Sequence, residues 1–504
     1  MAATSQRSSR TQNKTIKSQE YRPAIDGLRA IAILSVFLFH LKPNLLPGGF
    51  VGVDVFFVIS GYLITSIIFR QCQQDRFSLA QFYQRRIARI FPAFFTVALA
   101  TLVGAYFIYS PQDFASAGVN LAAASLSIAN IKFMFQGNYF TISPDAQPFL
   151  HYWSLSVEEQ FYMIFPLVLT IVYRKSPRLI VPILAAISLL SFAACIAVTT
   201  ARPSWAFFLL PTRAWELSVG ALLAIRGDMS VLVSPNWRRW ISLIGIAMIA
   251  ASFVCVKEGN KFPGYQALFP VLGAVLVLVP TAGIASTGES LLSLAPAVFI
   301  GRISYSLYLW HWPVLSLVDY QMYATSQPIR ILLKIVISFS AAYLSFKLIE
   351  SPLRVFLNQT RNRRLAFFSL AVIVAICVPL GIAVRKANYV NAEMVQVARG
   401  GLVFNKSSKL GAIVLMGDSN GSMYGKVMRE ISEEAGLKLN VISVAAGNPL
   451  PSTRGEKRQL WSDSLAVVQE VKPDILFLVC AWEIQLKGDQ DELALAIDKL
   501  KPFA

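Results

Sequence analysis

"YRPAIDGLRAIAILSVFLFH" (residues 21–40) decides the fold class of this chain. Its length and its run of Ile, Leu, Val, Phe and Ala suit a helix crossing a bilayer core, which takes about 20 apolar residues. Yet it carries Asp26, Arg29 and His40. Ionisable groups at membrane depth are costly, and they persist where they face protein or a water-filled cavity. Arg29 and His40 are eleven positions apart. On a helix this leaves them about 20° apart around the axis and about 16 Å apart along it. Taken singly, Arg29 reads as a snorkelling anchor and His40 as an interhelical hydrogen-bonding residue. A shared stripe argues against both readings. Asp26 can pair with Arg22 or Arg29, or favour the helix start.

The rest of the chain agrees with a polytopic α-helical membrane protein. It is 55% hydrophobic over 504 residues, with a mean hydropathy of +0.54. Eleven apolar stretches fit spans near 25–42, 50–69, 88–109, 153–173, 179–199, 207–225, 239–256, 266–283, 297–318, 329–349 and 365–384. The net charge of +18 would suit nucleic acid, but the basic residues gather in short loops between the spans. With the N-terminus inside, cytoplasmic loops receive Arg70, Arg76, Arg85, Arg86 and Arg89, then Arg174, Lys175 and Arg178. Arg226, Arg238 and Arg239 follow, then Arg354, Arg361, Arg363 and Arg364, while the outer loop 110–150 holds only Lys132. This asymmetry obeys the positive-inside rule, excludes a nucleic-acid partner and places everything after Arg385 outside. The five cysteines are scattered, with no disulfide framework and no metal site.

The domain plan is therefore a cytoplasmic tail (1–20), a membrane domain of about ten spans (21–355), one further span (356–386), a linker (387–410) and an outer α/β domain (411–504). In the last, "AIVLMGDSN" (412–420), "LNVISVA" (439–445) and "DILFLVC" (474–480) read as strands. Helices are predicted at 426–436, 461–471 and 488–500. Alternation of this kind predicts a parallel, doubly wound sheet. About three strands fit before Ala504, so the domain is expected to be incomplete.

Five blocks occur in order: the opening stretch, "GGFVGVDVFFVISGYLIT" (48–65), "RRIARIFPAF" (85–94), "HYWSLSVEEQFY" (151–162) and "GRISYSLYLWHWPV" (301–314). Together they resemble the membrane acyltransferase type 3 family, bacterial enzymes that O-acylate surface polysaccharides. The resemblance covers roughly residues 20–355. It matches Arg29 and His40 to the family's signature of a basic residue, ten others and a His. It also matches Arg86 and Arg89 to a cytoplasmic Arg-x-x-Arg. The resemblance implies acetyl-CoA as donor, an extracytoplasmic glycan hydroxyl as acceptor, and the bacterial inner membrane as location.

The residues suit that chemistry on their own terms. Moving an acyl group from a thioester to a hydroxyl needs a base near neutral pH, and imidazole supplies one. His40 either deprotonates the hydroxyl or carries the acyl group itself. Arg29, Arg86 and Arg89 offer forked donors for phosphates, although Arg85, Arg86 and Arg89 also read as plain topology determinants. Glu158 is expected near the outer start of its span, on one helical face with His151, where it orients a His or binds sugar. Trp153, Tyr162 and Trp310 are candidates for stacking on sugar rings, and Asp54 is an intramembrane carboxylate with a binding role by default. His311 reads as structural, and Arg213 and Glu216, three apart, as a pair.

"MGDSN" (416–420) resembles the first block of SGNH hydrolases, which would make Ser419 a nucleophile and Gly447 a second-block residue. The chain has three histidines, His40, His151 and His311, all in the membrane part. A Ser–His mechanism in the outer domain lacks its base. The rival function class is a transporter or flippase whose buried charges line a substrate path.

Overall fold

The computed structural model describes residues 21–136, 139, 146–226, 237, 240–259, 261–279, 286–388, 390, 392, 394–444, 447–451, 460–480, 482, 486 and 491–503. The expected tail 1–20 lies outside these residues, as do Arg238, Arg239 and the side chain of Ser419.

Each of the eleven predicted stretches holds a helix. The membrane part contains α1 (Pro23–Leu41), α2 (Gly52–Gln73), α3 (Leu79–Ile108), α4 (Pro111–Ser125), α5 (Ala129–Met134), α6 (Tyr152–Lys175), α7 (Ile180–Ala201), α8 (Pro203–Phe208) and α9 (Leu210–Arg226). It continues through α10 (Ile241–Cys255), α11 (Leu268–Leu278), α12 (Thr287–Leu292), α13 (Ala295–Gln321), α14 (Gln327–Ser345), α15 (Ser351–Leu357) and α16 (Arg363–Asn388). Among the described residues, eight helices are long and apolar enough to cross a membrane, and two more, Ile241–Cys255 and Gly264–Leu278, are apolar but shorter. The 27-residue α13 carries Arg302 and His311 within its apolar run.

One stretch departs from the reading of 110–150 as a plain outer loop. Ser110 caps α4, its hydroxyl accepting from the Asp113 amide at 3.2 Å, with Pro111 pre-set for the first turn. The run of Ala, Gly, Leu and Val that follows packs against α16, where Gly118 and Gly381 bring the backbones together. Fifteen residues span about 22 Å, too short for the apolar-run criterion to find. The Ala129 amide donates to Ser156 in α6 and the Gln160 amide to the Ser127 carbonyl. The turn between α4 and α5 therefore reaches down beside the second turn of α6.

α1 packs against α2 and α13. The α1–α13 contact depends on Gly301: a Cβ there would stand 1.8 Å from the Asp26 carbonyl oxygen, so only glycine permits this approach. Gly301→Ala is expected to lower the melting temperature of the purified protein, at a cost of about 1–3 kcal/mol from overpacking. An unchanged melting temperature would show that the two helices do not touch there.

Outside the membrane part lies a four-stranded sheet of order β1-β3-β2-β4, with β1 (Leu402–Phe404), β2 (Ala412–Gly417), β3 (Lys438–Ser443) and β4 (Ile475–Val479). The three predicted strands pair in parallel and β1 adds an antiparallel edge. β2 is buried on both faces: Ile413 and Leu415 join Met428 and Val441, whereas Val414 and Met416 join Ile442 and Val468. Helices Ser419–Glu434 (α17), Trp461–Val471 (α18) and Asp491–Leu500 (α19) accompany the strands. The order β3-β2-β4 reverses direction at β2, so the carboxyl end of β2 is a topological switch point, the usual ligand position in open α/β sheets.

Candidate active site

Helices α2, α3, α6 and α13, joined by Arg29 of α1, line a partly open cavity of about 100 Å³. Arg29, Arg86, Arg89, Glu158, Glu159, Tyr162, Tyr305 and Tyr308 line it. Arg86 and Arg89 are three residues apart on α3 and so share a face, while the adjacent Arg85 is exposed. Asp26 settles the orientation of Arg29. Its Oδ1 lies 3.2 Å from Arg29 Nη1, and its Oδ2 accepts from the Tyr21 hydroxyl at 2.6 Å. Arg302 donates to the same hydroxyl at 3.2 Å, and Arg22 goes elsewhere, to Glu289.

The Arg86 guanidinium lies 5.7 Å from the ring centroid of Tyr162 and 5.6 Å from that of Phe82. Its Nε is buried without a hydrogen-bond partner, as is the Ser304 hydroxyl on the cavity wall. Buried donors are normally satisfied. An orphaned guanidinium donor beside two further arginines fits a polyanionic ligand such as a diphosphate.

Glu158 is not at the outer rim. It sits two turns into α6, accepting from the Ser60 hydroxyl at 2.8 Å and the Tyr162 hydroxyl at 3.2 Å. No histidine is among its described partners, so the expectation that it orients a His fails. Tyr162 lines the cavity beside it.

The three histidines come together instead, at the end of α1 farther from Arg29. His40 Nδ1 lies 3.2 Å from His311 Nε2, and His40 Nε2 lies 2.9 Å from the Tyr139 hydroxyl. His311 Nδ1 lies 2.6 Å from the Tyr308 carbonyl oxygen. These contacts fix the tautomers of the neutral rings. A carbonyl only accepts, so His311 carries its proton on Nδ1 and presents a lone pair at Nε2. His40 therefore donates from Nδ1, which leaves its Nε2 lone pair to accept from the Tyr139 hydroxyl. His311, expected to be merely structural, bonds directly to His40.

His151 completes the group, its ring 5.7 Å from that of His311. Both of its ring nitrogens are buried without a hydrogen-bond partner among the described residues.

Three expected binding residues, Asp54, Trp153 and Trp310, are placed differently. Asp54 does not line the cavity: Asp54 and Glu216 both pair with Arg213, at 3.0 and 2.8 Å, and all three are at most 1% exposed. The expected Arg213–Glu216 pair is thus a triad. Rings of Phe57, Trp153, Phe207 and Phe262 surround the Arg213 guanidinium within 6.0 Å. Trp153 is 3% exposed, packed against Tyr139 and Phe207, and has no free face for a sugar. Trp310 is half-buried and also lies outside the cavity wall.

Sequence reasoning missed Tyr139, Ser60, Tyr305 and Tyr308. All but Tyr139 fall within a quoted motif: Ser60 in "GGFVGVDVFFVISGYLIT" (48–65), and Tyr305 and Tyr308, three residues apart, in "GRISYSLYLWHWPV" (301–314).

In the C-terminal sheet domain, Asp418 is buried at the end of β2 and its Oδ1 accepts from the Asn420 amide at 2.8 Å. Ser419 begins α17 at the switch point. No residue of this domain lines the cavity among the described residues.

Residues 22–384 match the model of a family described as an acyltransferase domain. The chain is similar to the peptidoglycan O-acetyltransferase OatA of Listeria monocytogenes, with 32% identity over 352 residues, 67% of this chain and 56% of that protein. It is also similar to the O-acetyltransferase OatA of Staphylococcus aureus, with 32% identity over 356 residues, 67% of this chain and 58% of that protein. The matches therefore span somewhat more than half the length of these relatives. No solved structure matches the chain.

Proposed function

The chain belongs to the acyltransferase domain family, and from that premise we propose that it is an O-acetyltransferase of the bacterial cell envelope. It takes acetyl groups from acetyl-CoA on the cytoplasmic side and transfers them to a hydroxyl of a cell-wall glycan outside. Peptidoglycan is the favoured acceptor because a relative bears that name; a lipopolysaccharide O-antigen is the other class. The proposed topology has eleven crossings of the inner membrane, the N-terminus inside and the sheet domain outside, as the basic loops require.

The observation that carries this reading is the Nε2 lone pair of His40, oriented by the His311 contact toward the Tyr139 hydroxyl, beyond a cavity lined by three arginines. Arg29, Arg86 and Arg89 would hold the coenzyme A phosphates, with Asp26 keeping Arg29 in place. The acceptor hydroxyl would take the position of the Tyr139 hydroxyl at His40 Nε2. There the imidazole removes its proton as the oxygen attacks the thioester carbonyl. The new C–O bond forms, the C–S bond breaks, and the departing thiolate recovers the proton from His40. The same lone pair serves a route through a transient acyl-histidine. Ser419, with no histidine among residues 411–504, would assist acceptor binding in an SGNH-like module.

The test is to supply purified protein with labelled acetyl-CoA and peptidoglycan fragments or O-antigen, and to look for an alkali-labile ester. Ester on one acceptor supports the reading and identifies the glycan. Movement of unmodified glycan across the membrane without ester would support a transporter instead. Arg86→Ala is expected to raise KM for acetyl-CoA about 10–100-fold, since charge-assisted hydrogen bonds contribute about 1.5–3 kcal/mol. The same change should leave kcat nearly unaltered, because Arg86 stands away from the reacting carbonyl. A fall in kcat at constant KM would move Arg86 out of donor binding.

A further inference from the structure

No histidine lines the cavity among the described residues, although the proposed chemistry must join the two. One layer separates them. Tyr308 and Ser154 both line the cavity, and their hydroxyl oxygens lie 2.5 Å apart. The His151 carbonyl oxygen lies 3.0 Å from the Tyr308 hydroxyl and 3.4 Å from the Ser154 hydroxyl, so the two hydroxyls share it as an acceptor. The Tyr308 ring stands 5.6 Å from the His151 ring and 5.3 Å from the His311 ring. Phe56, on the cavity wall, meets it edge-on at 6.4 Å. The backbone of the same residue holds the histidine chain, because the Tyr308 carbonyl is what His311 donates to. Tyr308 thus touches the cavity with its ring and orients His311 with its carbonyl.

We propose that the hydrogen-bonded pair of Tyr308 and Ser154 is the partition between the donor cavity and the histidine cluster, and that it limits the transferable acyl chain to about two carbons. This rests on reading the cavity as the acyl-CoA site. For reaction, the thioester carbonyl must come within about 3–3.5 Å of the attacking oxygen, which His40 holds on the far side of this pair. The acyl group therefore enters the partition first. An acetyl group carries one methyl past the carbonyl. A butyryl group carries three carbons into the close-packed wall of Tyr308, Ser154 and Phe56. One misfitting methylene in such a pocket changes discrimination about 10–200-fold. The ring of Tyr308 is the obstacle, and the bonds to Ser154 and His151 keep it from turning aside.

The experiment measures kcat/KM with acetyl-CoA, propionyl-CoA and butyryl-CoA for the full chain in its membrane. The wild type, Tyr308→Ala, Tyr308→Phe and Ser154→Ala are compared, and binding of each donor is measured separately. The wild type should fall steeply with acyl length. Tyr308→Ala should raise the butyryl-to-acetyl ratio at least about tenfold, even as acetyl transfer itself declines. Tyr308→Phe and Ser154→Ala, which keep the ring but loosen it, should raise the ratio less. An unchanged ratio in Tyr308→Ala that still binds acetyl-CoA would overturn the proposal. So would a wild type that uses butyryl-CoA as well as acetyl-CoA. If Tyr308→Ala does not fold, Ser154→Ala decides, and an unmoved ratio there overturns it equally. A wild type that transfers no acyl group from any donor contradicts the proposed function, and the partition with it.

Discussion

His40→Ala is expected to abolish acyl transfer, with kcat lower by about 10³-fold or more, while the binding of acetyl-CoA stays within a few-fold of the wild type. General bases contribute about 10²–10⁴-fold. His40 offers the one imidazole nitrogen in the chain of contacts Tyr308 carbonyl, His311, His40 whose lone pair faces outward, 2.9 Å from a hydroxyl. His311→Ala separates the roles. It leaves that nitrogen in place but removes the acceptor that fixes its tautomer, so activity should fall less and the pH–rate profile should shift. Equal residual activity in wild type and His40→Ala would remove His40 from the chemistry. Equal and complete loss in both variants, with an intact fold, would mean that the two rings act as one unit.

A second large effect is expected on stability. Arg213→Leu should destabilise the protein by about 3–5 kcal/mol, the usual cost of leaving a buried charge unpaired. The change strands Asp54 and Glu216 together in a region where none of the three is more than 1% exposed. Thermal unfolding in detergent measures it. Replacing all three by apolar residues of similar volume should recover most of the loss, because a buried ionic group is worth little against good apolar packing. If Arg213→Leu instead unfolds like the wild type but loses activity, Asp54 has a role in binding and the triad is not structural.

Much of the membrane part was legible because helical periodicity and apolar length are local properties. The stripe joining Arg29 to His40 followed from eleven residues of spacing, and the Arg213–Glu216 pair from three. What the sequence hid was the third member of each group. Asp54 and His311 reach their partners only through the packing of α2 on α9 and of α1 on α13. Those contacts depend on glycines such as Gly61, where a Cβ would stand 1.9 Å from the Leu217 carbonyl oxygen. Glu158 was placed on the right helix at the wrong depth, since helical spacing to His151 says nothing of which neighbour approaches. The α4–α5 hairpin was missed because small residues and a 15-residue length resemble a loop in an apolar scan. In the C-terminal sheet domain, the apolar runs 412–417 and 475–479 announced strands, but the three-residue β1 has no pattern to read.

The central claim is that an acetyl group crosses from the arginine side to the histidine side within this one chain. The most direct measurement places the full chain in sealed vesicles of known orientation, with labelled acetyl-CoA on the arginine side only and glycan on the other side only. Label should appear as ester on the glycan for the wild type, and should be absent for His40→Ala. Ester formed only when donor and glycan share one compartment, or formed undiminished by His40→Ala, would contradict the account.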